Sequence, residues 1–107
     1  MARKLGKTED YEYFSKRALA YQNYWDKDTH FFRGKNRDGS WVTPFNPVHS
    51  THRNDAYCEG NGWQYTWLVP HDVEGLISLF GSKEAFVSKL DSLFLVNEDL
   101  GDAASPD

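Results

Sequence analysis

Cysteine is all but missing: Cys58 is the sole thiol in 107 residues, so no intramolecular disulfide can form and cysteine usage carries no compartment signal. Long apolar runs are missing too. No stretch approaches the roughly 18 residues of a membrane-spanning helix, and Met1-Ala2-Arg3-Lys4-Leu5-Gly6-Lys7 lacks the apolar centre of a signal peptide. Nor is there a basic run. Lysine and arginine are scattered and the net charge is −4, which leaves no electrostatic footprint for nucleic acid and no call for a membrane partner. Internal repeats and low-complexity tracts are absent as well.

Aromatic rings are abundant. They make up 16% of a chain that is 39% hydrophobic, so rings carry much of the apolar area of what reads as one small globular domain. They concentrate in Cys58-Glu59-Gly60-Asn61-Gly62-Trp63-Gln64-Tyr65-Thr66-Trp67, which joins one carboxylate, two glycines, two amides and three large rings. Sugar rings offer apolar C–H faces for stacking and hydroxyls for amides and carboxylates, so this mixture suits a carbohydrate site. Desolvation by the rings would raise the Glu59 carboxyl pKa, as a general acid requires.

Before this stretch, Thr8-Glu9-Asp10 reads as a helix start with Thr8 as cap. Tyr11, Phe14, Ala18, Tyr21 and Trp25 recur at steps of three and four, which predicts a helix from about Glu9 to Trp25 burying that stripe. Asp26-Lys27-Asp28-Thr29 breaks it. Asp38-Gly39 lies between short apolar pieces and predicts a hairpin-like excursion, while Pro44, Pro47 and the Ser50–Asp55 cluster predict an irregular loop over much of 43–57. Asp72 is placed to cap a helix with Val73, Leu76, Ile77 and Phe80 inward, closed by Gly81. Ser82 then caps a second helix with Phe86, Val87, Leu90, Leu93 and Phe94 inward. Residues 97–107 show no periodicity and read as an open loop, which suggests that further chain follows.

Each candidate has a structural alternative. Glu59 can serve as an acid at a helix N-terminus, Asn61 as a backbone cap, and Trp63 and Trp67 as core rings, with Tyr65 pointing to the other side. Gly60 and Gly62 suit a sharp turn or a close approach. His49, His52, Cys58 and His71 match no zinc pattern, and Asp72 has a better case as a cap than as a catalytic base.

Glu59-Gly60-Asn61-Gly62-Trp63-Gln64-Tyr65-Thr66-Trp67, followed by Val69-Pro70-His71-Asp72 and Gly75-Leu76-Ile77, resembles the hallmark segment of glycoside hydrolase family 92, the exo-acting α-mannosidases. The likeness extends over most of the chain, through Phe32-Arg33-Gly34, Asp38-Gly39-Ser40-Trp41 and Glu84-Ala85-Phe86-Val87. It implies an all-α fold: helical hairpins forming part of an (α/α)6 catalytic barrel, with the excursion around 31–57, in a chain that is one partial domain of a larger enzyme. It implies an inverting, calcium-dependent glycosidase acting on mannose-containing glycans, with Glu59 as the general acid. Asn61, Trp63, Gln64 and Arg33 are the candidate substrate contacts. The base and most calcium ligands are implied to lie in the missing remainder of the same polypeptide. Family analogy further implies a periplasmic or cell-surface bacterial location. The rival readings are a small carbohydrate-binding or structural helical module, and an inactive truncated gene product.

Overall fold

Acids early and bases late stabilise the first helix: Glu9 and Asp10 lie in its first turn and Lys16 and Arg17 in its last, each complementing the helix dipole. This computed structural model describes residues 1–51 and 55–96. The expected open loop at 97–107, and His52, Arg53 and Asn54 of the irregular loop, lie outside them. Helix α1 spans Thr8–Arg17. Thr8 does not cap it. Lys7 holds the cap position without a side-chain bond, after a turn at Gly6 with φ of 70°.

The predicted helix to Trp25 is cut short. After Ala18 the chain tightens into a 3-10 turn, Ala20–Tyr24, and Trp25 is extended at φ −79°, ψ 122°. Tertiary contacts account for this. Tyr21 donates its hydroxyl to Asp72 Oδ2 at 2.6 Å and the Trp25 indole donates to the Leu79 carbonyl at 3.0 Å. These two anchors, with the strand pairing of Trp25, overrule the helical preference of the segment.

Strands β1 (Trp25–Asp26) and β2 (Phe31–Phe32) form an antiparallel ladder with Trp25 opposite Phe32 and Asp26 opposite Phe31. The expectation of an all-α fold is corrected here: the chain is mostly helical with a small two-stranded sheet. Asp26-Lys27-Asp28-Thr29 is therefore a hairpin turn rather than only a helix breaker. The Asp28 amide and the Thr29 hydroxyl both donate to the Asp26 carboxylate at 2.9 Å, and His30 adopts φ of 58°. The second excursion matches expectation. Gly39 has φ of 90°, Asn36 N–H donates to Ser40 O at 2.8 Å, and Lys35 bridges Trp41.

Helices α2 (Gly62–Tyr65), α3 (Val73–Leu79) and α4 (Lys83–Leu93) complete the described fold. Asp72 and Ser82 cap α3 and α4 by accepting from the Gly75 and Ala85 amides, each at 3.1 Å, and Gly81 turns the chain between them at φ 85°. The core is Trp25, Val69, Leu76 and Phe80, with Tyr21, Phe32, Trp67, Leu79, Ala85 and Phe86 packed on it. Trp67 stacks on Phe80, and Phe86 meets both rings edge-on. The predicted inward faces hold in part. Leu76 and Phe80 are buried, whereas Val73, Val87 and Phe94 are exposed, because only the side of each helix turned toward Trp25 and Trp67 has a partner among the described residues.

Candidate functional site

Glu59 sits in the left-handed backbone region at φ 55°, a conformation uncommon for a side chain with a Cβ. Its carboxylate is exposed, so the rings of this stretch do not supply the desolvation expected for it. The chain then turns into α2 through Gly60. A Cβ on Gly60 would lie 3.0 Å from both Gln64 Oε1 and the Tyr65 ring, and one on Gly62 would lie 3.0 Å from the Tyr57 hydroxyl and 3.1 Å from Pro47. Both glycines therefore serve close approach.

Asn61 and Gln64 form a reciprocal capping box. The Asn61 side chain accepts from the Gln64 amide at 3.2 Å, and the Gln64 side chain accepts from the Asn61 amide at 2.9 Å. Asn61 Nδ2 also donates to the Val48 carbonyl at 3.3 Å. Both amides proposed from sequence for sugar contacts thus hold the start of a one-turn helix.

The three rings separate as the spacing suggests. Trp63 meets Phe31 edge-on at 5.0 Å and Trp67 belongs to the core, while Tyr65 packs on Tyr57 at 5.4 Å and donates its hydroxyl to Cys58 O. Tyr65 thereby lines a cleft of about 350 Å³ with Tyr21, Tyr24, Phe32, Arg33, Tyr57 and Leu68 among its walls. Burial pushes the Tyr57 phenol up to about 12, with Asp55 adding to the rise and Arg33 opposing it; its hydroxyl donates to Phe32 O. Glu59 is not a wall of this cleft.

Arg33 stands apart from the Glu59 turn. Its guanidinium pairs with Asp26 at 2.9 Å, donates to Val42 O at 3.0 Å and lies 4.5 Å from the Phe45 ring centre. Burial alone would raise the Asp26 carboxyl. The donors from Arg33, the Asp28 amide and the Thr29 hydroxyl together outweigh that and hold it below the ordinary carboxylate range. This pair was not read from the sequence, although a turn tetrapeptide followed by Phe31-Phe32 was the available signal. Lys89 was missed as well. Its ammonium lies on the faces of Phe31 and Trp63, and burial lowers it to about 8. Two buried donors, Arg33 Nε and Trp67 Nε1, have no partner among the described residues.

Residues 1–106 match the family described as the glycosyl hydrolase family 92 catalytic domain. The chain belongs to that family. Two solved structures of the family GH92 alpha-mannosidase BT3965 from Bacteroides thetaiotaomicron are similar to it, each at 47% identity. One matches with a TM-score of 0.79, covering 91% of this chain and 12% of that one. The other, in complex with mannoimidazole, matches with a TM-score of 0.82, covering 92% and 13%. The chain thus spans about an eighth of the length of that GH92 relative. No curated protein matches it. The GH92 membership gives the two-stranded, mostly helical unit its context: it corresponds to part of a much longer catalytic chain.

Proposed function

We propose that this chain is the general-acid segment of an inverting exo-α-mannosidase, contributing helices to an (α/α)6 barrel that hydrolyses terminal α-mannosides. The observation that carries the reading is the left-handed Glu59, held one residue ahead of a glycine where a Cβ would crowd Gln64 and Tyr65 at 3.0 Å and two ahead of the capping box. Uncommon backbone at an exposed carboxylate is a pointer to function. The likeness to an α-mannosidase solved with mannoimidazole supports the substrate class.

In this reading Glu59 donates its proton to the glycosidic oxygen as the bond to the anomeric carbon breaks. A carboxylate roughly 6.5–9.5 Å away takes a proton from the water that attacks the opposite face. That base belongs to the rest of the enzyme, as does the desolvation of Glu59. Asn61 and Gln64 set the turn that aims Glu59, and Gln64 Nε2, with no partner among the described residues, is the amide group left for a sugar hydroxyl. Trp63 acts by holding that turn, and Arg33 by forming part of the cleft wall. Export to the periplasm or cell surface follows from the same reading.

Calcium finds no complete site among the described residues. Among the described residues no group of three or more His, Cys, Asp or Glu side chains could hold a metal ion, and calcium takes about six to eight oxygens. The described residues by themselves do not fit the ion.

The test uses the protein encoded by the complete reading frame around this segment. Glu59→Gln is expected to lower kcat on an unactivated α-mannoside at least a hundred-fold, the scale of general acid catalysis, and far less on a substrate whose leaving group needs no proton. Equal losses on both substrates would remove Glu59 from the acid's role. Mannoside binding without hydrolysis by the wild type would favour the binding-module reading.

A further inference from the structure

We infer that Lys89 is a positioning residue for the Glu59 turn, acting through Trp63. The inference rests on the reading of Glu59 as the acid. The Lys89 ammonium lies 3.5 Å from the centre of the Phe31 ring and 4.5 Å from that of Trp63, and it donates to the Thr29 carbonyl at 3.5 Å. No carboxylate pairs with it among the described residues. A methionine would fill the same volume without the desolvation that pulls this ammonium down to about 8. What only the cation adds is attraction to two ring faces and one carbonyl.

Those contacts join three elements. Phe31 is in β2, Trp63 is the second residue of α2, and Lys89 is in α4. A four-residue helix such as α2 has almost no stability of its own, so its orientation comes from the side chains that tie it down. The Asn61–Gln64 box shapes the turn internally and Asn61 Nδ2 ties it to Val48. Trp63, pressed edge-on against Phe31 with the Lys89 ammonium over both rings, is its tie to α4. Glu59 is exposed and makes no side-chain bond to a described residue, so its carboxylate goes where this turn goes. Misplacing a reacting group by about 1 Å can cost on the order of a hundred-fold in rate.

The experiment compares Lys89→Met, which keeps the stem and removes the ammonium, with Lys89→Arg, which keeps a cation able to lie on ring faces. Both are made in the protein encoded by the complete reading frame. Lys89→Met is expected to lower kcat on an unactivated α-mannoside about ten-fold, the scale of a partly desolvated cation–π contact, with KM changed less than about two-fold. It is also expected to speed amide exchange across α2 while leaving α4 unchanged. Lys89→Arg is expected to restore most of both. Unchanged α2 exchange in Lys89→Met, faster exchange spread over the whole chain, or an arginine variant as impaired as the methionine one would each overturn the inference. If the wild type cleaves no mannoside, the proposed function fails. The positioning role is then decided by the exchange and rescue measurements alone.

Discussion

Two aromatic faces of this chain have opposite fates. On one, Trp25, Phe32, Trp67, Phe80 and Phe86 interlock, with ring centres at 4.8–6.2 Å in stacked, tilted and edge-on pairs. On the other, α1 buries no residue, and Tyr11, Tyr13, Phe14 and Leu19 are exposed. Both read alike in the sequence. Periodicity tells which side of an element is apolar, and only a partner of matching shape decides whether that side is buried. A face covered from the hairpin side by Trp25 and from the α4 side by Phe86 has such partners, whereas α1 has none among the described residues.

The largest way to break the contrast is Phe80→Ala. Phe80 touches Trp25, His30, Trp67 and Phe86, and its removal is expected to cost about 3–5 kcal/mol in urea unfolding, a cavity no neighbour can refill. Retained stability would mean that the rings are interchangeable packing rather than a set fitted around Phe80.

Asp26→Asn comes next. It leaves the largely buried Arg33 guanidinium, 11% exposed, without its ion-pair partner, and a loss of about 3 kcal/mol is expected. The pH dependence sharpens this. The folded carboxyl of Asp26 lies below its unfolded value, so its contribution is present above about pH 4 and is lost as pH falls through the folded pKa. Acid unfolding should therefore lose one step in Asp26→Asn. A smaller effect is expected from Ser82→Ala, about 1 kcal/mol, because the cap on the Ala85 amide is lost while the α4 packing stays.

The sequence disclosed most features that depend on near neighbours, the Thr8 cap excepted. The Asp72 and Ser82 caps, the Gly39 and Gly81 turns and the division between Trp63/Trp67 and Tyr65 are set within a few residues, and all appear. Features that depend on distant partners were hidden. The end of α1 is fixed by Asp72 and Leu79, more than fifty positions away, and Lys89 reaches Trp63 across two loops. Glu59 is singled out by its motif, but its exposure could not be read there, because desolvation depends on which surfaces face it and none of the near ones do.

The smallest expected effect tests the bare face itself. Tyr11→Ser and Phe14→Ser remove rings that are 43% and 61% exposed, so each is expected to change the unfolding free energy of this chain by less than about 0.5 kcal/mol. The same pair in the protein encoded by the complete reading frame should behave differently. An apolar helix side of this extent on a chain matching about an eighth of its relative is where further catalytic-domain helices would pack. Burial there would turn each substitution into a core truncation, raising its cost toward that of Phe80→Ala. Differential scanning calorimetry of the two variants and the wild type in each context measures both differences. Small effects in both contexts would mean that α1 stays at the surface of the complete protein, and its stripe would then have to be explained by something other than packing within the catalytic domain.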